Sequence, residues 1–159
     1  MARSERHRRQ LRVREATPPR YAPSPRETGV AGILLDSDIV IEILRGRAKV
    51  VRDLLAIETR QISTYCCAIA WAEVTAGLRP GEEAVTDAFF AARGDVVIDA
   101  AMGRRAGAYL ARYRQSHGVE LADAMVAAAA TTAGLHLWTL NKKHYPMADL
   151  QLYDPPADE

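Results

Sequence analysis

Cysteine is nearly absent from this chain. The 159 residues hold two, and these are the neighbours Cys66 and Cys67. Adjacent thiols provide neither the spaced ligand pattern of a zinc site nor a disulfide framework. They are expected to be buried thiols of a protein that works in a reducing cytoplasm. Long apolar runs are missing too. No stretch of about 18 apolar residues occurs, so no membrane-spanning helix is expected. The first thirty residues lack even a short apolar segment, which argues against a secretory signal. Pro18, Pro19, Pro23 and Pro25 interrupt any long amphipathic transit helix there.

Net charge is also small, at +1, but it is unevenly spread. Residues 1–31 carry eight arginines, Arg3 to Arg26, against Glu5, Glu15 and Glu27, which makes that segment +5 and the remainder −4. An acidic body repels nucleic acid as a whole, so if the chain binds RNA it must do so through local arginines and bound cations. Rich in Arg and Pro and without apolar period, residues 1–31 are expected to be a disordered extension, whether an idle tail, an upstream addition or a basic arm for phosphates.

The whole chain is 48% hydrophobic, and the part after residue 31 is long enough for one domain with a sizeable core. The apolar period of that part alternates between strand and helix. Strands are expected at 33–35, 61–64, 96–98, 135–140 and 150–152. Helices are expected at 37–45, 48–58, 65–78, 82–93, 100–117 and 122–133, with Gly46, Gly118 and Gly134 as stops. This order implies a three-layer α/β/α domain on a mostly parallel sheet. Ligands of such sheets gather at the carboxyl ends of the strands.

Three acids sit in apolar settings. Asp36 ends the strand Ile33-Leu34-Leu35. Glu73 lies in Ala70-Trp71-Ala72-Glu73-Val74, and its helical neighbours Ile69, Ala70, Ala76 and Gly77 are apolar or small. That spacing places it on a face expected to pack against the body. Asp123 opens the helix that runs through Val126 and Ala127. Each acid has an ordinary explanation, as a helix cap, a buried ion pair or a partner of the helix dipole. Three separate explanations are less economical than one shared site. Carboxylates about 4 Å apart repel by roughly 4 kcal/mol per pair at an effective dielectric near 20. A divalent cation reverses that sign, and all-oxygen ligands suit Mg²⁺ or Mn²⁺ better than zinc. Asn141 and His144, after the strand ending at Leu140, can join such a site. Thr64 is expected at the end of the second strand, within reach of a carboxylate or water. Arg45 and Arg105 stand among the arginines available to hold phosphates.

Four segments together resemble the PIN domain, and within it the VapC toxins of VapBC toxin–antitoxin modules. They are Leu35-Asp36-Ser37-Asp38-Ile39-Val40, Ala72-Glu73-Val74-Thr75-Ala76-Gly77-Leu78, Leu121-Ala122-Asp123-Ala124-Met125-Val126 and Thr139-Leu140-Asn141-Lys142-Lys143-His144-Tyr145-Pro146. The resemblance implies a PIN-like ribonuclease domain over residues 32–155, acting as a Mg²⁺-dependent endoribonuclease. It further implies a homodimer, held inactive by a VapB-type antitoxin that sends a basic side chain into the acidic pocket. Asp36 and Asp123 would be the metal ligands, and Glu73 would bind metal or orient the attacking water. Two positions depart from the pattern. Asp38 stands where the family usually has Asn, and the fourth acidic position is here Asn141 and His144, which puts a second metal in question.

Two other readings compete. Asp36-Ser37-Asp38 after an apolar strand also resembles the first motif of haloacid-dehalogenase-type phosphatases, with Asp36 as nucleophile. Ser63-Thr64 and Gly94-Asp95-Val96-Val97-Ile98-Asp99 resemble later ones. Yet no lysine occurs between Thr64 and Gly94, and Glu73 and Asp123 go unused. The other reading is a PIN-like module without catalysis, acting only by binding.

Overall fold

The computed structural model describes residues 29–156. The expected disorder of the Arg/Pro-rich extension falls almost wholly outside that range. Four short strands, β1 (Ile33–Leu35), β2 (Thr64–Cys67), β3 (Gly94–Val96) and β4 (His136–Trp138), form one parallel sheet in the order β3-β2-β1-β4. Six helices join them: α1 (Ser37–Leu44), α2 (Ala48–Thr59), α3 (Ala68–Ala76), α4 (Glu83–Ala91), α5 (Ala100–His117) and α6 (Leu121–Ala133). The expected three-layer α/β/α architecture is what forms.

Strand periodicity explains the layers. Successive side chains of a strand point to opposite faces. Leu34, Tyr65, Cys67, Val96 and Leu137 pack on one face with α5 and α6, against Met102, Ala106, Ala127 and Ala128. Ile33, Leu35, Cys66 and Trp138 pack on the other with α1 to α4, against Ile39, Val40, Leu54, Ile57, Ala70 and Phe90. Each fully buried aliphatic side chain contributes about 2 kcal/mol of transfer free energy. The helix α6 reaches the sheet closely because Ala124 and Ala127 to Ala130 are all fully buried and small. Both Gly118 and Gly134 end their helices with positive φ, 64° and 68°, where a side chain is disfavoured.

Several boundaries differ from the sequence reading. The second strand runs Thr64–Cys67, not 61–64, so Tyr65, Cys66 and Cys67 belong to the strand and the helix starts at Ala68. An apolar run that is buried on both faces carries no period to separate strand from helix. The third strand is Gly94–Val96, two residues earlier than expected. The last expected strand shrinks to a single bridge, Leu137 to Leu152, which borders the outer edge of β4. Both thiols are buried, and burial pushes Cys66 up to about 12 and Cys67 also upward, so neither is a nucleophile.

The ring of Tyr65 lies between two backbone glycines. A Cβ on Gly32 would stand 2.7 Å from that ring and 2.9 Å from Leu135, and a Cβ on Gly94 would overlap the ring outright. Gly103, in α5, has no atom of the described residues within 4 Å of its missing Cβ, its own helix backbone and chain neighbours aside. Gly94→Ala is therefore expected to cost about 2 kcal/mol or more, whereas Gly103→Ala should add about 0.5–1 kcal/mol. Urea unfolding midpoints check both, and equal midpoints would contradict the packing argument.

Candidate active site

The carboxyl end of β1 delivers Asp36 to a cavity of about 250 Å³. Glu73 of α3, Asp123 of α6, Asn141, His144 and Tyr145 line the same cavity, as does Asp38. Segments from four parts of the chain thus converge where a parallel sheet habitually binds its ligands. The geometry follows from the register. Asp36 N–H donates to Trp138 O at 3.0 Å, which ties the end of β1 to the end of β4 and brings Asn141 to Tyr145 alongside.

Asp36 is 7% exposed. Its Oδ1 accepts the Ser37 N–H at 2.9 Å and its Oδ2 accepts the Tyr145 hydroxyl at 2.8 Å. Burial first, and then repulsion from Asp38, pushes its pKa up to about 6, against the pull of those hydrogen bonds and of Thr139. Asp38 is raised as well, chiefly by burial. Its Oδ2 accepts from Leu140 N–H at 3.0 Å and Thr139 Oγ1 at 3.3 Å, while its buried Oδ1 has no partner among the described residues. Burial and the Asp36 charge drive the Tyr145 phenol upward, so it remains a donor. Asp123 Oδ2 accepts the Glu120 N–H at 2.9 Å and lies 3.4 Å from His144 Nδ1. The Asn141 side chain approaches the same ring nitrogen at 2.9 Å.

Glu73 corrects the sequence reading in one respect. It borders the cavity but is exposed, because α3 buries Ala70 and Val74 while Ala76 and Gly77 stay open to solvent. Thr64 is displaced further. It begins β2 opposite Ile33, at the amino end of the sheet, and lines a different recess with Gln61 and Tyr65. Arg45 pairs with Glu42 at 3.7 Å and borders a larger groove of about 520 Å³ between α1, α3 and α4. Arg105 sits on α5, a helix that contributes no residue to the acidic cavity. Nothing in the sequence singles out the Tyr145 hydroxyl, because its bond to Asp36 spans 109 residues. Asp99, the last acid of the phosphatase-like pattern, caps α5 by accepting Met102 N–H at 2.9 Å and takes no part in the cavity.

The donor set suits a hard divalent cation: carboxylate oxygens, one of them orphaned in the interior, and an amide. Among the described residues no three His, Cys, Asp or Glu side chains stand close enough to enclose an ion. An ion here would take part of its coordination from water or substrate, as Mg²⁺ habitually does.

The sequence pattern of the PIN domain matches residues 33–150. The chain belongs to the PIN-domain family. Within that family it is similar to Ribonuclease VapC10 of Mycobacterium tuberculosis, at 35% identity over 126 residues, covering 79% of this chain and 93% of that protein. Among solved PIN-like structures, FitAcB from Neisseria gonorrhoeae is 27% identical with a TM-score of 0.59, over 77% of this chain and 97% of that one. A toxin–antitoxin complex from Klebsiella pneumoniae shares the fold at 24% identity and a TM-score of 0.63, over 79% of this chain and 98% of that one.

The raised Asp36 pKa has a signed consequence for the metal-free PIN domain. An unfolded aspartate titrates near 3.9, so the folded state holds this proton more tightly. That stabilisation is full below about pH 4 and is lost as pH rises through about 6. In EDTA at about pH 8, Asp36→Asn should therefore melt higher than wild type by roughly 5 °C, with the gap closing toward about pH 4. Scanning calorimetry across pH checks it, and a wild type that melts higher at alkaline pH contradicts it.

Proposed function

We propose that this PIN domain is the toxin of a toxin–antitoxin pair, an endoribonuclease that hydrolyses RNA phosphodiester bonds with Mg²⁺ and acts in the cytoplasm. The supporting observation is the single cavity that gathers Asp36, Glu73 and Asp123 from three separate elements around the end of β1. Asp36 and Asp123 would hold the ion, with Asn141 and Glu73 at its margin. When bound, such an ion lowers the pKa of a coordinated water and offsets charge building on a phosphate, and Mn²⁺ serves equally.

The chain's own groups do the rest. Ser37 N–H and the Tyr145 hydroxyl fix the two oxygens of Asp36 before any ligand arrives, so little reorganisation remains. The Glu120 N–H holds Asp123 in the same way. Exposed Glu73 at the rim is free to orient water and take its proton. Water attacks phosphorus and the bond to the 3′ oxygen breaks, leaving a 5′-phosphate and a 3′-hydroxyl. No nucleophilic side chain is required. Surplus negative charge in the pocket repels RNA until cations are bound, and the same charge suits an antitoxin that inserts an arginine or lysine. The toxin–antitoxin complex from Klebsiella pneumoniae, which shares the fold, supports an antitoxin as partner.

Purified Asp36→Asn and Asp123→Asn proteins are expected to keep the wild-type circular dichroism spectrum. RNA cleavage should fall by more than about 100-fold, beyond the loss of a mere outer partner of a metal ligand. Sequencing of 5′-phosphate RNA ends after brief expression reads the result. Full Mg²⁺-dependent cleavage by folded Asp36→Asn protein would contradict the proposal.

A further inference from the structure

We propose that Tyr145 is a positioning residue, whose hydroxyl presets the Asp36 carboxylate for the cation. This rests on the metal-dependent reading above and assigns a further residue to it. The phenol is 5% exposed, lines the acidic cavity, and donates to Asp36 Oδ2 at 2.8 Å across 109 residues of sequence. Its single proton has one use there. The aspartate is already held at Oδ1 by its own helix start, through Ser37 N–H. One hydrogen bond leaves a carboxylate able to swing about its Cβ–Cγ bond, and a second from the opposite side stops that rotation. Tyr145 supplies the second from the segment that also brings Asn141 and His144 into the cavity. A phenylalanine would fill the same space in the core without the donor.

The same chain contains an internal control. Tyr109 is likewise buried and donates to a carboxylate, Asp149 Oδ2 at 2.9 Å, with Thr131 Oγ1 at 3.2 Å, yet lies outside the acidic cavity. Both tyrosines lose comparable bonding when changed to phenylalanine. Only one of the two should alter the handling of metal.

The test uses the full chain and Mn²⁺ alone as probe. Titration calorimetry of Tyr145→Phe should show Mn²⁺ affinity reduced by about 10- to 100-fold, and the rise in melting temperature on adding Mn²⁺ should shrink. Tyr109→Phe should lower the melting temperature by a similar amount with and without Mn²⁺ and leave the affinity as in wild type. A second readout needs no substitution. In wild type with ¹³C-labelled tyrosine, the Cζ resonance of Tyr145 should move with Mg²⁺, at the midpoint that calorimetry gives for that ion. Wild-type affinity in a folded Tyr145→Phe protein overturns the assignment, as does a Tyr145 resonance that ignores Mg²⁺, while the nuclease reading stands. A wild type that binds neither ion overturns both.

Discussion

Asp36 is a carboxylate almost removed from water, placed beside a second carboxylate that has one oxygen without a partner among the described residues. Burial and like charge each disfavour its ionised form. Ser37 N–H, the Tyr145 hydroxyl and Thr139 offset part of that cost and leave its pKa near 6. Everything else in the fold serves to hold this arrangement. Left alone, the acids would protonate or separate, whereas a cation among them turns repulsion into binding energy.

The sheet provides the rigidity. Its strands are only three or four residues long, so the site depends on register and side packing more than on strand length. Tyr65 lodged between Gly32 and Gly94 fixes the spacing of three strands. The alanines of α6 bring its first turn, with Asp123, close to the end of β1. The bond from Asp36 N–H to Trp138 O joins the first strand to the last, and with it the two ends of the site's sequence.

Much of this was legible in the chain. The helices α1, α2, α5 and α6 announced themselves by apolar spacing and by glycine stops, and the acids were conspicuous because apolar residues surround them. What stayed hidden was hidden for identifiable reasons. Tyr65-Cys66-Cys67 is buried on both faces and has no period, so the sequence pattern points to a second strand three residues early, with Thr64 at its end and not at its start. Glu73 looked enclosed because its neighbours are apolar or small, but Ala76 and Gly77 tolerate exposure as readily as burial. Asp38 read as a departure from a family pattern, and its tie to Leu140, 102 residues away, exists only in three dimensions. The bond from Tyr145 to Asp36 is of the same kind.

The cavity draws its negative charge from Asp36, Asp38, Glu73, Glu120 and Asp123, while Asn141 and His144 bring no carboxylate to it. The most direct test is anomalous diffraction from crystals of the full chain soaked in Mn²⁺. The account predicts one anomalous peak in the cavity, bounded by the carboxylates of Asp36 and Asp123. A peak that engages neither residue, or none in that cavity at saturating Mn²⁺, would contradict it.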